Sequence, residues 1–169
     1  METTKFNELC NAYDKAQDNF DTYQKDCHII SMEIVNEIKA YYQVPESQFS
    51  LYRISEEQSF ELVPPTLIHA LALGEDHYWH FGIGLTVCKV LETLPEELIL
   101  VHIMFRKNSK DEYFAKYAFG KKEFKIVKGD SASYVPFFDE VFNNIISSYS
   151  HHMQKFIGEK TTRKLGYLH

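Results

Sequence analysis

Histidine is the side chain most often recruited for acid–base work and metal binding near neutral pH, and this chain has eight. Two of them, His77 and His80, stand beside Glu75 and Asp76 in the segment EDHYWH. On a strand, positions 77 and 80 point to opposite faces, so one metal ion cannot hold both unless the chain bends between them. His102 lies within an apolar strand and His152 on an apolar helical stripe. His151 and His152 diverge on a helix, and His69 sits on a segment of ambiguous type. His80 and His102 fall on adjacent expected strands, where a composite site is open to them, although no ligand spacing marks it. The expected role of these rings is hydrogen-bonded or core histidine, and no cofactor is specified.

The patterns that make nucleophiles and nuclease sites fail on inspection. Gly129-Asp130-Ser131 follows an expected strand and precedes an expected helix, a placement some serine hydrolases use. Here it falls late in the chain, and no Asp-x-x-His accompanies it. An Asp-Ser turn capping the next helix explains these residues. Cys27 and His28 are sequence neighbours, but a nucleophile and its base must meet in space. Asp111 followed by Glu123-Phe124-Lys125 has the loose form of a nuclease metal site. In the expected hairpin the two carboxylates stand roughly 20 to 25 Å apart at ~3.4 Å per residue, too far to share a metal.

Two weaker features concern binding. Gly82 and Gly84 lie on one face of a strand and leave a flat patch. A helix, a large aromatic ring or a ligand can approach the backbone there. Arg106, Lys116 and Lys125 fall on three successive expected strands, each between apolar neighbours. A meander would gather them on one face, a basic patch for an anion, a nucleic acid or an acidic protein. Solvent-facing lysine on strands is also ordinary, because it discourages edge aggregation.

The elements that position these groups are legible as periodicities. From Tyr78 to Cys88, Trp79, Phe81, Ile83, Leu85 and Val87 alternate with the other residues, the signature of a strand with one apolar face. Shorter strands are expected over 49–54 and 59–63, before Pro64-Pro65. Residues 66–73 favour a strand that turns at Gly74-Glu75-Asp76 into the long one. Strand 98–106 follows, then a hairpin of 113–119 and 123–127. Residues 4–42 read as one helix. Phe6, Leu9, Tyr13, Ala16, Phe20, Tyr23, Cys27, Ile30 and Ile34 recur by threes and fours, with acidic residues opposite. Such a helix is about 55 Å long, so it either bends near 26–28 or projects and packs on a partner. A second helix is expected over 134–158, with Phe138, Phe142, Ile145, Tyr149, His152 and Phe156 on one stripe. The basic tail 159–169 is expected to be loose unless it docks.

The chain of 169 residues carries a net charge of -6. Residues 1–100 hold 6 Lys+Arg against 17 Asp+Glu, and residues 101–169 hold 12 against 7. The halves can present faces of opposite sign or neutralise each other. Three widely spaced cysteines suggest neither a disulfide framework nor a zinc knuckle. The start METTKFNELC lacks the features of a signal peptide, and no apolar stretch approaches the ~20 residues of a membrane helix. The expected location is the cytoplasm.

Together these readings predict one α+β domain over 1–169. An antiparallel sheet of five to seven strands within 49–128 is flanked by a long N-terminal and a C-terminal helix. The leading function is a non-enzymatic protein-interaction module: an inhibitor, an immunity-type protein, a chaperone or an oligomeric adaptor. Its partner is another protein, or itself, reached through the N-terminal helix. The alternatives are a ligand or enzymatic pocket near His80, Gly82, Gly84 and His102, and nucleic-acid or anion binding through Arg106, Lys116 and Lys125. Nucleic acid is not favoured at this net charge, and no membrane partner is expected.

Overall fold

The computed structural model describes residues 4–90, 93–118, 120–150 and 161–165. Helix α1 runs unbroken from Lys5 to Tyr42. Thr4 starts it, its side chain accepting the Asn7 amide, a cap worth about 1 kcal/mol. Gln43 ends it in the left-handed region (φ 53°), where its amide and that of Val44 bond back to Ala40 and Lys39. A single 3-10 turn at Glu46–Gln48 leads into the sheet.

The sheet contains β1 (Phe49–Ile54), β2 (Phe60–Val63), β3 (Ala72–Leu73), β4 (Trp79–Cys88), β5 (Glu96–Lys107), β6 (Tyr113–Tyr117) and β7 (Phe124–Ile126). These seven strands pair antiparallel in the order β2-β1-β4-β5-β6-β7, with β3 also on β4. The expected α+β architecture is therefore present.

Register assigns each residue to a face. Gly82 lies opposite both Tyr52 and His102, and His80 opposite Met104. The odd-numbered residues Phe81 and Ile83 of β4 and Val101 and Ile103 of β5 point the other way and are fully buried. Against them pack Cys27, Ile30, Ile34 and Ile38 of α1. Helix α3 (Ser131–Ser150) adds Tyr134, Phe137, Phe138, Val141 and Ile145. Burying each such side chain contributes about 1.5–3 kcal/mol. Asp130 caps α3 by accepting the Ala132 amide, so the Gly129-Asp130-Ser131 turn is a helix start. The Ser131 hydroxyl donates to Glu37 of α1, 2.9 Å away.

Three expectations are corrected, and one is made specific. Residues 66–73 are not a strand: α2 (Leu67–Ala70) is one helical turn, with Leu67 and Ala70 buried three residues apart, and β3 is only two residues. Four residues are too few for a helical period to stand out. Helix α3 begins at Ser131 rather than 134. Its buried stripe runs through Phe137 and Val141, which leaves Phe142 half-exposed. The expected continuation through His151, His152, Lys155 and Phe156 lies outside the described residues. The tail, expected to be loose unless it docks, does dock where it is described: β8 (Thr161–Leu165) pairs parallel with Glu97–Val101 of β5. Strand β6 takes only Ile103–Lys107 on that edge, so the rest of the edge offers unpaired backbone groups that another strand can fill. The last hairpin pairs Tyr113 with Ile126 and Ala115 with Phe124, which shifts Glu123 away from its expected place opposite Phe119.

Candidate functional site

The first candidate is the N-terminal segment of α1. Every residue from 5 to 22 is exposed, although the helix is continuous into the core. Contact with the body begins at Tyr23, whose hydroxyl accepts from Trp79 Nε1 at 3.1 Å. Asp26 then holds the Lys107 ammonium at 2.9 Å, and Cys27 is fully buried. Ahead of that junction, Phe6 is 70% exposed, Leu9 and Tyr13 68%, and Phe20 44%.

The spacing from Phe6 to Ile34 is a strict three-four alternation, a heptad with apolar a and d positions. Phe6, Tyr13, Phe20, Cys27 and Ile34 stand at a, and Leu9, Ala16, Tyr23 and Ile30 at d. Sustained heptads keep one seam facing a partner helix. In this chain the seam has a partner, the sheet, only from Tyr23 onward.

The second candidate joins His80 and His102. The two rings are diagonal neighbours across β4 and β5, with His80 Nδ1 and His102 Nε2 2.8 Å apart. His80 Nε2 lies 2.9 Å from Asp76 Oδ1. Asp76 is held in a hairpin turn, where it also accepts the Tyr78 amide. His77 closes that turn at φ 65° and stands apart from the pair. Since His80 donates Nε2–H to the carboxylate, its Nδ1 accepts from His102 Nε2–H when both rings are neutral.

Burial, followed by the neighbouring His80, pulls the His102 pKa down to about 4, so the ring is neutral at pH 7. Partial burial pushes the Asp76 carboxyl up, but the His80 and Tyr78 hydrogen bonds outweigh it and leave the group below its usual range. Both His80 nitrogens are committed, and His102 Nδ1 is buried. A triad base needs one ring nitrogen facing its nucleophile, and this chain of groups offers none. Among the described residues no group of three or more His, Cys, Asp or Glu side chains is placed to hold a metal ion.

The pair opens on a cleft of about 730 Å³. Arg53, Glu56, Glu61, Glu75 and Asp76 contribute to its walls, an excess of negative charge. Gly82 and Gly84 lie deeper on the same face, where aromatic rings cover them. A Cβ on Gly82 would stand 2.8 Å from the Phe60 ring, and one on Gly84 2.6 Å from Tyr52 Cε2. Phe60 also meets His102 edge-on.

The third candidate is the basic face. Arg106, Lys116 and Lys125 do share one face of the sheet, since Lys116 lies opposite Met104, and Phe114 opposite both Arg106 and Lys125. They are not bare charges. Arg106 forms a two-pronged ion pair with Glu123 (2.7 and 2.9 Å) and stacks on Phe114. Tyr78 donates to the same carboxylate. Lys125 pairs with Glu112, and the Lys116 ammonium sits 4.7 Å above the Tyr78 ring.

Sequence reasoning named His80 and His102 but missed Asp76 as the third member, because hairpin register sets that contact. It also missed Glu123, whose proximity to Arg106 follows from the shifted hairpin. Comparison of the chain with known protein families, curated proteins and solved structures gives no match.

Proposed function

We propose that this protein is a non-enzymatic interaction module whose N-terminal helix is its docking element. The single observation behind this reading is the exposed seam Phe6, Leu9, Tyr13 and Phe20 on a helix whose later turns are built into the core. Leaving that seam in water forfeits about 25 cal/mol for each Å², and a second helix laid along it removes that loss. An isolated helix of this length is also marginal in water, so a partner would order the segment as well as cover it. The lack of an available ring nitrogen at the histidine pair supports binding over catalysis.

Two measurements test the reading. Deleting residues 1–20 should leave the body folded, with its near-ultraviolet circular dichroism intact and Tm within a few degrees. The full chain should capture a fluorescent peptide with leucine at heptad positions a and d, and the truncated chain should not. Unfolding on truncation would make the segment part of the core and contradict the proposal. Equal peptide binding by both forms would also contradict it.

A second reading is favoured by the Asp76–His80–His102 chain at the mouth of the acidic cleft. This chain of hydrogen bonds runs from the exposed Asp76 to the buried His102 and borders a cavity large enough for a small molecule. The carboxylates there suit a cationic ligand. Spermidine should then raise the Tm of the native chain but not that of Glu61→Gln/Asp76→Asn. An unchanged Tm with the native chain would remove this reading.

A further inference from the structure

We infer that the occupant of the exposed seam is a second copy of this chain, laid antiparallel to form a two-stranded coiled coil over residues 5–24. The inference rests on the docking role of α1 and names its partner.

The first ground is charge. Between Asn7 and Lys25 every charged residue stands at heptad position b, c or f, away from the seam. The flanking e and g positions hold Lys5 at the tip and, after it, only the uncharged Cys10, Ala12, Gln17, Asn19 and Gln24. Charged e and g residues select unlike partners and repel like ones. Neutral flanks do neither, so an identical helix meets no repulsion.

The second ground is the fit of sizes. An antiparallel pair sets a against d of the other copy, and full overlap of the exposed segment joins positions whose numbers total 29. Leu9 then meets Phe20 of the second copy, and Tyr13 meets Ala16, so these two rings each lie over a smaller side chain, while Phe6 meets Tyr23 at the two ends. A parallel pair would stack Ala16 on Ala16 and leave a void, while Tyr13 met Tyr13. Interiors tolerate such gaps poorly.

The third ground is length. The exposed segment ends at Tyr23, and in the antiparallel pair Phe6 of the second copy arrives there, beside the Tyr23–Trp79 contact. Each helix tip thus reaches the other body as the seam runs out. The helix dipoles are also opposed, which is favourable. The exposed fractions of Phe6, Leu9, Tyr13 and Phe20 give roughly 1,000 Å² buried over two copies, at ~200 Å² per aromatic side chain, the lower bound of specific interfaces. An interface at the low end of that range fits a reversible dimer.

The test combines sedimentation equilibrium with disulfide trapping. The native chain should be a dimer at high micromolar concentration, and Tyr13→Asp should be a monomer with unchanged near-ultraviolet circular dichroism. In a Cys10→Ser/Cys88→Ser background, Leu9→Cys/Phe20→Cys should cross-link under mild oxidation, and Leu9→Cys alone should not. Cross-linking by Leu9→Cys alone would mean a parallel pair and overturn the arrangement. A native monomer at high concentration, or a larger assembly, would overturn the inference. If a native monomer still captures the heptad peptide, the docking role survives with a different helix as partner. If it captures nothing, both fail.

Discussion

His102 is neutral at pH 7 because its environment cannot hydrate a cation. The sign of its effect on stability follows. The unfolded ring binds a proton near pH 6.5 and the folded ring only near pH 4. Acidification through that window therefore favours the unfolded chain. Urea midpoints should fall as pH drops from 6.5 to 4, and His102→Gln should flatten that stretch of the profile. Glu123 acts in a lower window. The Arg106 ion pair, opposed by partial burial and aided by the Tyr78 hydroxyl, holds its carboxyl down at about 2, from an ordinary 4.5. A depressed carboxyl stabilises the fold above its unfolded value, and that contribution is lost between pH 4.5 and 2. Glu123→Gln should remove this acid limb and leave the His102 limb in place. The glycines give a steric test. Gly82→Ala places a methyl 2.8 Å from Phe60 and 2.9 Å from Tyr52 Cβ. The expected loss is about 1–3 kcal/mol, the range for overpacked sites, read as a lower urea midpoint at unchanged slope.

At the scale of elements, α1 divides at Tyr23 into a helix in water and a helix in the core. The two parts share one heptad, so the sequence shows the seam but not where its partner changes. That boundary depends on Trp79 and Lys107, which lie on strands far along the chain. Strand β4 was readable because ten residues repeat with period two. Helix α2 was not, since one turn has no period. The phase of α3 was misjudged because Phe137, Phe138, Val141 and Phe142 offer two overlapping stripes, and only packing against β7 and α1 chooses between them. Strand β8 is polar and basic in sequence, and its pairing answers an open edge on β5 that no local pattern announces. The histidine pair was legible as two strand residues but not as a contact, which needs the register of β4 on β5. Truncation of residues 1–20 is the element-scale test. The body should keep its Tm within a few degrees, because every residue from 4 to 20 is exposed.

For the whole molecule, the acidic and basic halves of the sequence are joined among the described residues by one ion pair and by hydrogen bonds from the second half to acidic residues of α1. Asp26 of α1 meets Lys107 of β5, and Glu33 of α1 accepts the Gly129 amide. The acidic and basic halves thus meet inside one body. None of the described helices is long and apolar enough to cross a membrane. The α1 seam leaves Phe6, Leu9, Tyr13 and Phe20 in water, and the function proposed for this protein stands on it. The most direct measurement is the molar mass of the native chain by light scattering, from low to high micromolar concentration, beside Tyr13→Asp. The expected result is a rise from 19.8 kDa toward twice that value for the native chain and a constant 19.8 kDa for the variant. A native chain that stays at 19.8 kDa throughout, or a variant that rises with it, would contradict the claim that this seam is where the protein pairs.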